Sequence, residues 1–172
     1  MSMEKWDLYT CDRRLTGLEH TRGERIPQGL FHLVVHVWIR NAKGQFLISQ
    51  RSANRKKLPL MWECVGGSAL KGEDSLSAAL REVYEEVGIK LSPEQGRMIS
   101  SVAGRVVDGR KFSDIVDVWL FDHEGDFDLS RATTDEVAQA RWMNTDEIRQ
   151  LLQSGKMVHT LGYFLEDPVV VA

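Results

Sequence analysis

Cysteine, proline and long apolar runs are scarce in this sequence of 172 residues. It contains two cysteines, Cys11 and Cys64, which are too few for a framework of disulfide bonds, so a reducing, cytoplasmic location is expected. No run of 18 or more apolar residues and no apolar signal-peptide segment occurs, so no membrane span is expected. With a net charge of −3 and no stripe of lysine and arginine, no nucleic-acid polymer is expected as a partner.

What is present is typical of one globular domain, with 42% hydrophobic and 27% charged residues. We predict a small N-terminal β-hairpin and loop over residues 1–29, with strands at 6–10 and 15–21, and a main domain over residues 30–172. Further strands are predicted at 32–40, 45–50, 61–65, 98–107, 112–121 and 137–143. This order of elements predicts an α/β fold with a mixed β-sheet covered by helices on both faces.

Three helical segments accompany these strands. The first occupies most of the stretch 67–89, where Asp74 or Glu73 would begin the helix and Gly88 would end it. Asn144 and Glu147 form a capping box for a second helix over about 146–153. A last short helix is predicted within 157–165, and residues 169–172 are expected to be loose or to form a packing arm.

The first helix carries carboxylates on one face and apolar residues on the other. Glu82, Glu85 and Glu86 are spaced i, i+3 and i+4, so they are neighbours on one face. The apolar residues that recur on the opposite face, and would pack on a sheet, are Leu76, Leu80, Val83 and Val87. Clustered glutamates are often only a solvated surface. Because three close carboxylates repel one another, however, a hard divalent cation is the expected occupant, Mg²⁺ or Mn²⁺ above others.

The whole pattern favours the cation site over a solvated face. The stretch matches G-x5-E-x7-R-E-U-x-E-E-x-G-U at every position, where U is apolar, and its fixed residues are Gly67, Glu73, Arg81, Glu82, Glu85, Glu86 and Gly88. It therefore resembles a complete Nudix box. This resemblance implies a Nudix-type α/β/α sandwich over roughly residues 33–153. It also implies metal-dependent hydrolysis of a nucleoside diphosphate derivative or another small organic diphosphate.

The resemblance also implies roles for individual residues. Glu82, Glu85 and Glu86 would bind the metal, together with the main-chain carbonyl of Gly67. Arg81 would orient the acids, since its guanidinium is a fork-shaped donor, and Glu73 would support the loop. The catalytic base is expected to be Glu82 or Glu85. An acid from a late loop, Asp135 or Glu136, is the alternative.

Residues that choose the substrate lie outside the box, and their signals are weaker. The basic cluster of Arg51, Arg55, Lys56 and Lys57 precedes the glycine loop at Gly66 and Gly67 and could contact phosphates, with Arg51 and Lys57 as the preferred residues, although such clusters are often plain surface. Asp117 lies in an apolar strand, where it either faces the cleft and contacts the substrate or is a hydrogen-bonded residue at the edge of the sheet. Glu136 is the fourth predicted substrate-binding residue. Three tryptophans on strands could stack on a base but are more often part of a core: Trp62, Trp119 and Trp142.

A second resemblance covers the N-terminal half. The segments WDLY, RGE and LFHLVVHVWIRNAKGQFLISQRS are similar to type I isopentenyl-diphosphate isomerases, which share the Nudix fold. Those enzymes use a cysteine and several metal-binding histidines. Here Gly66 stands where the cysteine would fall, with Cys64 two residues earlier, and Ser68 replaces a histidine.

His32 matches one of the isomerase histidines, and His36 shares its strand face, so the two form a candidate metal pair or a pair of packed core residues. Without the cysteine we favour hydrolysis over isomerisation. A Nudix domain that only binds a ligand is the third alternative. The hairpin and the apolar C-terminal tail offer surface that a homodimer would bury.

Overall fold

The computed structural model describes residues 3–166, so the predicted arm at 169–172 lies outside the described residues. Eleven strands and two α-helices follow one another in the order β1 Lys5–Tyr9, β2 Leu15–Thr21, β3 His32–Arg40, β4 Phe46–Arg51, β5 Trp62–Glu63, β6 Val65–Ser68, α1 Ser75–Val87, β7 Gly96–Ala103, β8 Val106–Val107, β9 Arg110–Lys111, β10 Asp114–Asp122, β11 Val137–Met143 and α2 Thr145–Gln153. Three 3₁₀ helices complete the described chain, at Pro93–Gln95, Leu129–Arg131 and His159–Leu165. No helix within residues 3–166 is both long and apolar enough to cross a bilayer.

The main sheet has the strand order β11-β4-β3-β10-β7, with β5 paired to β4 and β6 paired to β3. Strands β3 and β10 run parallel along their whole lengths, from His32 beside Asp114 to Arg40 beside Asp122. Its other pairs are antiparallel, so the sheet is mixed, as predicted. The parallel pair requires a long crossover between β3 and β10, and α1 is part of that connection.

Alternate residues of β3 pack against helices on opposite faces of this sheet. Val35 and Val37 are fully buried in a cluster with Val83 and Val87 of α1. Trp38 belongs to the cluster on the other face, which includes Ile148 of α2 and residues of the last 3₁₀ helix. This period-two alternation gives the α/β/α sandwich, and the predicted fold class is confirmed.

Both α-helices begin where their capping residues predict. The Asp74 carboxylate accepts a hydrogen bond from the Ser77 amide, and α1 ends at Gly88, whose φ of 71° lies in the left-handed region that glycine tolerates best. Asn144 and Glu147 form the predicted capping box at the start of α2. The caps thus define α1 as the thirteen-residue helix that carries all three box glutamates.

Two strands predicted as continuous are interrupted. The strand predicted at 61–65 is divided at Cys64, because β5 pairs with β4 whereas β6 pairs with β3. The strand predicted at 98–107 ends at Ala103, since Gly104 takes a φ of 65° and its amide donates to the Asp114 carbonyl. Residues beyond it form the separate two-stranded hairpin β8–β9, which hydrophobicity alone could not distinguish from a longer strand.

The N-terminal hairpin β1–β2 is a two-stranded sheet attached to the main domain. Tyr9 exchanges main-chain hydrogen bonds with Phe31, just before β3. At the turn of the hairpin, Arg13 forms an ion pair with Asp117, with 2.8 Å between Nη2 and Oδ2. The boundary between 1–29 and 30–172 stays a prediction.

Because Asp117 is fully buried, loss of its arginine partner should be costly. We expect Arg13→Met, which keeps most of the apolar stem but removes the guanidinium, to lower the free energy of unfolding by about 2 kcal/mol. Urea denaturation followed by tryptophan fluorescence would measure it. Arg14→Met is the matched control, since the Arg14 side chain is 82% exposed and its one ion pair among residues 3–166 is with Asp12 on the surface. Equal stabilities of the two variants would contradict this account.

Candidate active site

The glycine loop and helix α1 meet where β6 ends. Gly67 lies opposite Val35 of β3, and a Cβ atom placed on Gly67 would lie 2.2 Å from Oε1 of Glu82. No side chain could occupy this position without displacing the carboxylate. The box glycine thus brings main chain and the Glu82 carboxylate into direct proximity.

Arg81 connects the loop to the glutamates of the helix. Its Nε and Nη2 donate to the two oxygens of Glu73, at 2.7 and 2.9 Å. Nη2 also donates to the Ser68 carbonyl at 3.1 Å, and Nη1 donates to Glu82 at 2.9 Å and to Glu85 at 3.0 Å. Glu73 in turn accepts from the Leu70 amide at 2.8 Å. The arrangement agrees with the expected orienting role of Arg81 and loop-supporting role of Glu73.

Glu86 is the deepest of the three box carboxylates. It is only 4% exposed, and its Oε2 atom has no hydrogen-bond partner among residues 3–166. Burial raises the pKa of Glu86 well above its usual value, and the nearby Glu63, Glu82 and Glu136 raise it further. Burial also raises the pKa of Glu82 to about 7, although Arg81 partly opposes the shift. A buried, unpaired carboxylate oxygen is costly unless a proton or a cation satisfies it.

A cleft of about 230 Å³ opens above these carboxylates, and the three box glutamates, Gly67 and Arg81 line it. Glu136 completes the wall from the late loop, where it pairs with Arg55 and its carbonyl accepts from the Ser52 amide at 2.7 Å. This loop is fastened to α1, because the amides of residues 133 and 134 both donate to the Glu85 carbonyl. Asp135, the other late-loop acid considered, does not line the cleft.

The donor set suits a hard divalent cation, although it is not arranged as a closed cage. No three His, Cys, Asp or Glu side chains within the described part of the chain stand close enough to hold a metal together. Arg81 instead occupies oxygens of Glu82 and Glu85. The unpaired oxygen of Glu86 and the close Gly67–Glu82 approach nevertheless provide the oxygen ligands that Mg²⁺ and Mn²⁺ prefer.

Three of the four predicted substrate-binding residues lie outside the cleft. Arg51 donates to both oxygens of Glu63 and to the Lys57 carbonyl, so it fastens the loop between β4 and β5. Lys57 is exposed and does not line the cleft. Asp117 is buried beneath the hairpin with Arg13. Their placement argues against direct contact with a substrate, and Glu136 is the one that does line the cleft.

The lining includes two hairpin residues that the sequence did not single out and one member of the basic cluster that was not preferred. Glu4 and Arg22 come from the open end of the N-terminal hairpin, and Arg55 comes from the basic cluster in which Arg51 and Lys57 were preferred. The alternation of polar and apolar residues along β1 and β2 does not indicate which end of the hairpin lies near the Nudix box. The tryptophans considered for stacking, Trp62, Trp119 and Trp142, belong to or pack against the two core clusters and do not line the cleft.

The isomerase-like positions have no poised thiol. A Cβ atom on Gly66 would lie 2.3 Å from the Val35 carbonyl oxygen, so this main-chain geometry has no room for a cysteine side chain. Cys64 is 3% exposed, and burial raises its pKa well above the usual value. His32 stacks on Trp6 at 4.3 Å, while His36 hydrogen-bonds to the Tyr163 hydroxyl at 3.0 Å. Both histidines therefore have packing partners of their own.

The family model described as NUDIX domain matches residues 30–166, and the chain belongs to this family. An uncharacterised Nudix hydrolase of Listeria monocytogenes is 41% identical over 159 residues, which cover 91% of this chain and 89% of that protein. The predicted Nudix membership is therefore confirmed.

The isomerase similarity is real but partial. Isopentenyl-diphosphate Delta-isomerase of Escherichia coli is 30% identical over 95 residues, covering 55% of this chain and 43% of that enzyme. A crystal structure of a Deinococcus radiodurans protein superimposes with a TM-score of 0.70 at 19% identity, covering 91% of this chain and 93% of that one. At 19% identity, the similarity to the Deinococcus protein concerns the fold alone.

The two glycines of the loop predict losses of stability of different size when a methyl group is added. Gly66→Ala would collide with main chain, so we expect it to lower the free energy of unfolding by about 2 kcal/mol. Gly67→Ala would collide with the far end of the Glu82 side chain, which can turn away, so its cost should be clearly smaller. Thermal denaturation of both variants would compare them. A Gly67→Ala variant as unstable as Gly66→Ala would contradict the flexible placement of Glu82.

Proposed function

We propose that this protein is a metal-dependent hydrolase that cleaves the diphosphate bond of a nucleoside diphosphate derivative or another small organic diphosphate. The observation that carries the proposal is the buried Glu86 carboxylate, whose Oε2 has no partner among residues 3–166 and which lies near Glu82 and Glu136. A buried carboxylate oxygen that has no partner is available to bind a cation, unlike a carboxylate that is already used in a structural ion pair. The name Nudix hydrolase given to the Listeria relative agrees with it.

Glu82, Glu85 and Glu86, with the Gly67 carbonyl, would hold Mg²⁺ or Mn²⁺. When bound, the cation neutralises phosphate charge and lowers the pKa of an attacking water. Arg81 keeps Glu82 and Glu85 oriented through its own anchors on Glu73 and Ser68. Water attacks phosphorus and a P–O bond of the diphosphate bridge breaks, which leaves two phosphorylated fragments.

The base that accepts the proton of the water is proposed among the carboxylates lining the cleft. Glu82 or Glu85 is the first candidate, and Glu136 is the alternative on the late loop. Arg55 holds Glu136 at the rim, so the Glu136 carboxylate need not bind the cation. A base that is not itself a metal ligand should be separable from the metal site by mutation.

The lining of the cleft suits recognition of a phosphate group better than recognition of a nucleobase. Its described lining contains arginines and carboxylates but no aromatic side chain, with Leu70 as its large apolar member. Its volume of about 230 Å³ is below the 300–1,000 Å³ typical of pockets that enclose a drug-sized ligand. We therefore propose that the diphosphate enters the cleft and the organic group remains near its mouth.

The two free cysteines agree with a reducing, cytoplasmic location, and homodimer formation stays a prediction.

Glu86→Gln tests the metal site directly. It should lower metal-dependent turnover by at least about 100-fold, because an amide cannot replace a buried anionic ligand. Turnover can be followed by ³¹P NMR with Mg²⁺ and a panel of ADP-ribose, nucleotide sugars, nucleoside triphosphates, dinucleoside polyphosphates and isopentenyl diphosphate.

Glu94→Gln is the control for that experiment, because Glu94 is exposed and does not line the cleft. Unchanged activity of Glu86→Gln would refute the site. If no ³¹P signal changes for the natural protein, deuterium uptake by isopentenyl diphosphate in D₂O would support the isomerase alternative instead.

A comparison of Glu85→Gln with Glu136→Gln should identify the base. If Glu136 is the base, its variant should lose about 100-fold or more in kcat while Mn²⁺ affinity stays unchanged. Glu85→Gln should weaken Mn²⁺ binding if Glu85 is a ligand. Electron paramagnetic resonance of free Mn²⁺ measures the affinity separately from turnover. Normal kcat in Glu136→Gln would exclude the late-loop alternative.

A further inference from the structure

The N-terminal hairpin reaches the cleft with one charged pair. Glu4 and Arg22 lie across from each other at its open end, where the Arg22 amide donates to the Glu4 carbonyl at 2.9 Å. Their side chains are joined from Nη1 to Oε2 at 2.8 Å, and both residues line the cleft. Nothing in the box pattern requires either residue, so this pair is a feature of the hairpin.

The hairpin is fastened to the loop that precedes α1. The Gly72 amide donates to Asp7 at 2.7 Å, and the Lys71 amide donates to the Lys5 carbonyl at 2.8 Å. The Lys71 ammonium also pairs with Glu19 of β2. Because this same loop continues into Glu73, the partner of Arg81, the hairpin has a fixed position relative to the box carboxylates.

Exposure places the hairpin pair at the mouth of the cleft. The side chain of Glu82 is 12% exposed and that of Glu85 is 35% exposed, whereas those of Glu4 and Arg22 are 44% and 52% exposed. A diphosphate whose scissile phosphorus lies among the box carboxylates would therefore have its other phosphate nearer to Arg22.

Arg22 is also free to exchange partners. Its bond to Glu4 is the one side-chain hydrogen bond found for it among residues 3–166, so most of its donors remain available. An exposed ion pair of this kind contributes little, because water solvates both charges. Arg81 has no such freedom, since it already donates to four partners.

We propose that Arg22 binds the outer phosphate group of the substrate, and that Glu4 is a placeholder which the phosphate displaces. This inference rests on the proposed function, because it assumes a diphosphate in the cleft. Guanidinium and phosphate form charge-assisted, often bidentate hydrogen bonds, which are stronger than an exposed single contact. The hairpin thereby gives the site a phosphate-recognition residue outside the Nudix box.

The opposite signs expected for two variants make the proposal testable. Binding of methylenediphosphonate, a diphosphate analogue that cannot be hydrolysed at its bridge, is measured by isothermal titration calorimetry in Mg²⁺. Arg22→Ala should weaken binding about tenfold, and Arg22→Lys should recover part of it. Glu4→Gln should tighten binding about threefold, because it removes the competing carboxylate. Arg14→Ala, on the same hairpin but away from the cleft, should change nothing.

A purely structural role of the pair would have a different signature, since Arg22→Ala and Glu4→Gln would then weaken binding together. That result, or unchanged binding by Arg22→Ala, would overturn the inference. With a hydrolysed substrate, Arg22→Ala should raise KM and leave kcat within about twofold, because the contact exists before and during the reaction.

Failure of the proposed hydrolase function can be distinguished from failure of the proposed Arg22 contact. Absence of diphosphonate binding by the natural protein would overturn both proposals. Binding that is weakened in Arg22→Ala, in a protein that hydrolyses no diphosphate, would support the Arg22 contact and refute only the hydrolase.

Discussion

One guanidinium holds the site together. Arg81 lies on α1 beside carboxylates that would otherwise repel one another, and it donates to Glu73, Glu82, Glu85 and the Ser68 carbonyl. Because Glu73 also accepts from the glycine loop, Arg81 fixes the helix and the loop relative to each other. A lysine could neutralise the charge but could not make these contacts in one plane, which is why the position requires arginine.

The acids around this guanidinium are kept at an energetic cost. Glu86 is buried with an oxygen that no described residue satisfies, and burial raises the pKa of both Glu82 and Glu86. Such a site weakens the folded protein unless a proton or cation occupies it. The two apolar layers on the faces of the sheet supply the stability that offsets this cost. Unfavourable burial of charged groups is expected at positions whose role is to bind a ligand.

The hairpin extends the same site by a different route. Its turn is fixed to the sheet through Arg13 and the buried Asp117, and its strands are fixed to the loop before α1 through Lys71 and Gly72. The open end, with Glu4 and Arg22, is thereby brought to the cleft. Substrate recognition would then be divided between a box that holds the reacting phosphate and a hairpin that holds its neighbour.

The sequence by itself determined the elements whose cause is local. Asp74, Gly88 and the Asn144–Glu147 box set the helix ends, and the periods of 3.6 and 2 placed α1 and β3 and chose their buried faces. It also determined the box, because its residues are close along the chain. Only the tertiary structure decided that Arg51 forms an ion pair with Glu63 and that Asp117 forms one with Arg13. It also decided that Arg22 and Arg55 reach the cleft. Partners separated by up to 104 residues are chosen by the packing of whole elements, and no local pattern encodes that choice.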